Sequence, residues 1–138
     1  MTALSHRADL EVSRRALAVM EAASDRAHPK EACGLLLGHG RSILQAVPTR
    51  NVHPQPESRF EVDPQALIDA HRAARGDGPQ VLGYFHSHPS GEPVPSAIDA
   101  AMSAADGSVW AILGEGQLRF WRDLDGGFRP LSYVLVQA

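Results

Sequence analysis

Val81-Leu82-Gly83-Tyr84-Phe85-His86-Ser87-His88-Pro89-Ser90-Gly91-Glu92-Pro93-Val94-Pro95-Ser96-Ala97-Ile98-Asp99 passes from an apolar run, through a proline-rich turn, into an alanine-rich segment. The apolar run from Val81 to Phe85 reads as a strand. Extended backbone sends successive side chains to opposite faces, so His86 and His88 share one side and Ser87 the other. A helix beginning at Ser96 puts Asp99 in its first turn, where the carboxylate can come close to whatever the histidines face. Two readings follow from these residues alone. Either the pattern is an accident of loop composition, or two imidazole nitrogens and a carboxylate oxygen form a metal site with an open fourth position, a donor set that suits zinc. Pro89, Pro93 and Pro95 stiffen the connection and lower the entropy cost of holding both ends together.

Working outward, Ser13 caps a helix running to about Ala27. Ala32 to Gly38 is a nearly continuous apolar run that turns at Gly38-His39-Gly40 into Ser42–Val47, a hairpin. Pro48 to Pro56 is irregular, and Arg59-Phe60-Glu61-Val62 alternates as a strand does. Asp63-Pro64 supplies an N-cap and a first-turn proline for a helix to about Ala74. Beyond the opening stretch, Ser96 to Ala105 reads as a helix, Val109–Leu113 and Gln117–Trp121 as a hairpin, and Tyr133–Val136 as a last strand. Strands alternating with helices and hairpins predict an α/β, mixed α+β, architecture with a mixed sheet flanked by helices.

The chain has 138 residues, 43% of them hydrophobic, which is enough for one core and predicts one domain over residues 1–138. The net charge of −3 comes with scattered basic residues, which argues against nucleic acid. No apolar run has the ~20 residues of a membrane span, and the start lacks a secretion signal, so the expected compartment is the cytoplasm. The single cysteine, Cys33, fits a reducing compartment and reads as a small buried hydrophobe.

Glu31, His86-Ser87-His88, Ser96 and Asp99 together resemble the signature of the JAMM or MPN-plus metalloproteases of the Mov34/PAD-1 type: an upstream glutamate, then H-[ST]-H-x7-S-x2-D. Glu31–Gly38 looks like that family's first core strand, and Arg59–Pro64 like the strand–helix junction of its short bacterial members. The resemblance covers roughly Leu10 to Trp121. It implies an MPN-type domain with a curved mixed sheet, cytidine-deaminase-like in outline. It further implies one zinc ion per chain on His86, His88 and Asp99, with Glu31 as general acid and base. Ser96 would hydrogen-bond the oxygen that becomes negative as the amide is attacked.

The implied activity is a zinc-dependent isopeptidase or peptidase. Its substrate would be an amide bond after the C-terminal glycine tail of a ubiquitin-like or sulfur-carrier protein conjugate. The connections from Phe60 to Gln80 and from Asp99 to Val109 are too short for the insertions that grip a second ubiquitin. Two alternatives stand beside this: a non-catalytic MPN scaffold, and a peptidase for phage-tail or cell-wall peptides. Glu31 without the resemblance reads as a surface residue at a strand start. Trp110 and Trp121 read as packing residues, His28, His39, His53 and His71 as exposed or capping, and Asn51 and Ser58 as lining a cleft. Val52 to Val62 is a possible sheet edge for an extended substrate tail.

Overall fold

The computed structural model describes residues 7–137. Its elements in chain order are β1 (Leu10–Ser13), α1 (Arg14–Ala27), β2 (Cys33–His39), β3 (Ser42–Thr49), α2 (Pro64–Ala74), β4 (Gln80–Ser87), α3 (Ala97–Met102), β5 (Val109–Gly114), β6 (Gln117–Leu124), β7 (Gly127–Leu131) and β8 (Tyr133–Val136). The eight strands form one mixed sheet in the order β7-β6-β5-β4-β2-β3-β1-β8. The central strand β4 runs antiparallel to β2 and parallel to β5. Among the described residues no helix is long and apolar enough to cross a membrane.

Local chemistry accounts for most boundaries. Ser13 Oγ accepts the Ala16 N–H at 3.0 Å and caps α1, a contact worth about 1 kcal/mol. Asp63 Oδ1 accepts the Gln65 N–H at 3.1 Å ahead of Pro64, so α2 starts where the Asp-Pro pair directs it. The β2–β3 hairpin closes through Gly40, whose φ of 59° is left-handed and suits glycine.

Four features differ from the sequence reading. Residues 59–62 are not a strand; only an isolated bridge joins Asn51 to Val62, because the Asn51 side chain takes the Glu61 N–H and the Arg59 carbonyl that a ladder would use. Helix α3 stops at Met102 rather than Ala105. Ser103 Oγ and the Ala105 N–H both bond the buried Asp123 carboxylate, drawing the chain out of the helix. Strands β1 and β7 complete the sheet without having been read as strands.

The strand pleat divides the core. On one face Met20, Ala16 and Ala23 of α1 pack with Val12, Leu36, Ile43, Phe85, Ala111 and Phe120 in a large apolar cluster. On the other, Cys33, Phe60 and Trp110 form a small cluster with Val62, Trp121 and Phe128 packed against it. Strand alternation sends Phe85 to the first face and His86 to the second, where His86 meets Phe60 and Trp110.

Candidate metal centre

His86 lies in the buried C-terminal part of β4 and is fully enclosed, at 0% exposure. Its ring stacks on Phe60 at a centroid distance of 4.3 Å and meets the Trp110 edge at 5.5 Å. Two residues on, His88 Nδ1 lies 2.7 Å from the Glu92 carbonyl. A carbonyl only accepts, so Nδ1 carries a hydrogen and Nε2 is the ring atom turned toward Asp99, the one that would ligate a metal once its proton leaves.

Helix α3 brings the third member. Ser96 Oγ accepts the Asp99 N–H at 3.0 Å, while the Ser96 N–H donates to Asp99 Oδ2 at 2.9 Å; this reciprocal capping box fixes the carboxylate's direction. Asp99 Oδ2 then sits 3.0 Å from His88 Nε2 and 3.2 Å from His86 Nε2, and the two Nε2 atoms are 3.2 Å apart. These three residues are the group of the described chain able to hold a metal ion.

The electrostatics suit a cation. Burial pushes the Asp99 carboxyl up, but hydrogen bonds from His86 and His88 outweigh it and hold Asp99 well below the usual carboxylate range. Burial lowers the His86 pKa more than Asp99 can raise it, so that ring is neutral at physiological pH. For His88 burial also opposes the charge, yet the Asp99 and Glu92 contacts win and its pKa rises.

Glu31 precedes β2. Cys33 pairs with His86 in the β2–β4 register, and Ala32 and Ser87 exchange hydrogen bonds at 2.8 and 3.1 Å, so Glu31 stands opposite His88. It is 5% exposed, against the surface position that the bare sequence suggests. Burial is the main reason that its pKa rises to about 7; His88 pulls it down and Asp99 pushes it up. Glu31 Oε1 and His86 Nδ1 are the buried side-chain atoms without a hydrogen-bond partner among the described residues.

The strand-to-helix connection is braced from β5 and β6. Trp121 Nε1 donates to the Pro93 carbonyl at 3.1 Å. At Gly114 an added Cβ would lie 2.3 Å from the Gly91 carbonyl oxygen, so only glycine lets the loop sit against β5. A cleft of about 690 Å³ between α1 and the β5–β6 turn reaches His88. An apolar groove of about 360 Å³, lined by Phe60, Val62, Leu67, Tyr84, Met102 and Trp110, begins at the rings that touch His86.

The structure brings Glu31, His86, His88, Ser96 and Asp99 into one neighbourhood, as the resemblance implies. It buries Cys33 and pushes its thiol up to about 11, chiefly through burial, as expected of an inert packing residue. Ser58 is exposed, and Asn51 turns its amide into its own loop rather than lining a cleft. Phe60, Trp121 and the Glu92 carbonyl were not legible as parts of the centre. The alternation of Phe60 with Val62 is the local signal there, and it reads equally well as strand packing.

A mixed sheet carrying a His-x-His pair and a helix-borne aspartate to one point, with a buried carboxyl alongside, defines a metallopeptidase of the JAMM/MPN class. The chain belongs to the family described as prokaryotic homologs of the JAB domain, whose model matches residues 13–124. It is 34% identical over 110 residues to a desampylase of Haloferax volcanii, an alignment covering 78% of this chain and 79% of that one. It is 40% identical over 74 residues to a probable TtuB-protein conjugate cleaving protease of Thermus thermophilus, covering 54% of this chain and about half, 49%, of the relative. A protein of Desulfitobacterium hafniense solved in solution superimposes with a TM-score of 0.82 at 25% identity, over 94% of each chain.

Proposed function

We propose that the chain is a zinc-dependent isopeptidase that hydrolyses the amide bond after the C-terminal glycine tail of a ubiquitin-like or sulfur-carrier protein conjugate. One observation carries this reading: His86, His88 and Asp99 converge on a single point with the unpartnered carboxyl of Glu31 beside it. The donor set fits zinc. Ligand atoms around a tetrahedral zinc at about 2.0–2.1 Å lie about 3.3 Å apart, close to the 3.0–3.2 Å separations among the two Nε2 atoms and Asp99 Oδ2. Three protein ligands leave a position open, as in catalytic sites. A zinc ion held there supplies a Lewis acid and a water acidified to a pKa of about 7.

The chain's own residues do the rest. Glu31, with its pKa near 7, is poised to take a proton from the attacking water and return it to the leaving amine. Its burial excludes the bulk water that would compete for that proton. Ser96 Oγ already accepts the Asp99 N–H, so its hydroxyl hydrogen is free to donate to the substrate oxygen as charge develops, a contact worth about 3 kcal/mol.

The relatives support the substrate class, since one is named for cleaving TtuB-protein conjugates. The cleft between α1 and the β5–β6 turn, which reaches His88, supports an extended chain arriving at the centre. The edge segment at 52–62 gives less support than its sequence suggests. The N–H groups of Val52, His53, Gln55, Ser58, Arg59 and Glu61 are already bonded within the loop, leaving few donors for an added strand.

The test is to incubate the zinc-loaded protein with a sulfur-carrier protein extended beyond its terminal Gly-Gly and follow the intact mass. Loss of the extension that stops on chelation is the expected result. No cleavage across carrier, ubiquitin-like and short peptide conjugates at full zinc occupancy would contradict the reading and favour a scaffold module.

A further inference from the structure

The Glu31 carboxyl has an oxygen that no group of the described chain holds, although the side chain is almost fully buried. Its place beside His88 is therefore set through its backbone. That backbone lies outside the sheet ladder, which starts at Cys33. Both of its polar groups are taken instead by the loop over residues 51–62. The Glu31 N–H donates to the Pro56 carbonyl at 2.7 Å, and the Glu31 carbonyl accepts from Asn51 Nδ2 at 3.1 Å.

Asn51 is the hub of that loop. Its Nδ2 also donates to the Arg59 carbonyl at 2.9 Å and approaches the Pro56 carbonyl at 3.5 Å. Its Oδ1 accepts the N–H groups of His53 and Glu61, each at 3.1 Å. One side chain thus closes the loop on itself through both its oxygen and its nitrogen, and the nitrogen also fastens the loop to Glu31. Phe60, on the same loop, stacks on His86.

We propose that Asn51 is the positioning residue for Glu31: its amide nitrogen couples the closed 51–62 loop to the Glu31 carbonyl and so fixes the direction of the carboxyl. This inference rests on Glu31 acting as the acid–base group. A carboxyl that swings by an ångström leaves the reacting geometry while substrate binding is little changed, so the loss appears in kcat.

Asn51→Asp separates the two halves of the amide. It keeps an acceptor for His53 and Glu61 and removes the donor to Glu31 and to Arg59. Asn51→Ala removes both, and His53→Ala removes only the bond from Gln55 N–H to His53 Nδ1 at 2.9 Å, inside the loop. Both Asn51 variants should lower kcat by about 10- to 100-fold with KM within about 3-fold and zinc content unchanged, while His53→Ala stays within about 2-fold. In metal-free protein, hydrogen exchange at the Glu31 amide should accelerate in the Asn51 variants and not in His53→Ala. Parental kcat in Asn51→Asp, an equal loss in His53→Ala, or loss of zinc from the Asn51 variants would overturn the assignment. Glu31→Gln separates the levels. If it retains turnover, the acid–base reading falls and this inference with it. If it is inactive while Asn51→Asp turns over normally, only the role of Asn51 falls.

Discussion

The two faces of the sheet are built for different tasks. The α1 face is a large aliphatic and aromatic cluster, closed by Met20, Leu36, Ile43, Phe85 and Phe120, with no part in the metal centre. The opposite face holds a smaller cluster around Cys33, Phe60 and Trp110, and both of its aromatic rings touch His86. Apolar area drives folding roughly in proportion to its extent, so the first face carries most of the stability. The second spends its few buried groups on holding an imidazole still. Stability and chemistry should therefore separate when the faces are perturbed one at a time.

The largest separation is expected at Glu31. Glu31→Gln preserves shape and leaves the ligand set intact, so zinc content should stay at the parental level while kcat falls by about 10²- to 10⁴-fold. Elemental analysis beside single-turnover assays checks this; turnover near the parental rate would remove Glu31 from the mechanism. On the other face Met20→Ala should cost about 2–5 kcal/mol in denaturant unfolding, with turnover per folded molecule unchanged. A kcat loss at Met20 would show that the faces are coupled.

The acid–base group also leaves a mark on stability. Folding raises the Glu31 pKa from 4.5 to about 7, so the protonated side chain is the one the fold prefers. Its full stabilising contribution is present below pH 4.5 and is lost as pH rises through about 7. In chelator, the parent should lose about 3 kcal/mol across that window relative to Glu31→Gln. Parallel stability curves for the two proteins would contradict the burial argument. Phe60→Leu is expected to do least to the fold, about 1 kcal/mol, yet to weaken zinc binding about 10- to 100-fold by freeing the His86 ring. Competition with a chromophoric chelator measures it.

Much of this centre was legible in the chain because its parts obey short-range rules. An apolar run ending in His-x-His places both rings on one side of a strand, and a helix starting at Ser96 puts Asp99 in its first turn. Glu31 was legible only through its resemblance to a known signature, since the strand register that puts it opposite His88 is a long-range fact. The irregular parts are long-range too. Phe60 looked like a strand residue until Asn51 took the loop's ladder partners, and α3 ends early because Asp123, from β6, claims Ser103 and Ala105. Strand β1 has four residues, and β7, Gly127–Leu131, is mostly exposed and contains Pro130, so neither carries the alternation that marks a strand.

On the proposed reading, His86, His88 and Asp99 hold one zinc ion on the smaller face. Elemental analysis of protein purified without added metal, repeated on the double variant His86→Ala, His88→Ala, tests it most directly. One zinc per parental chain and none in the folded double variant is the predicted result; a double variant that binds zinc as tightly as the parent would contradict it.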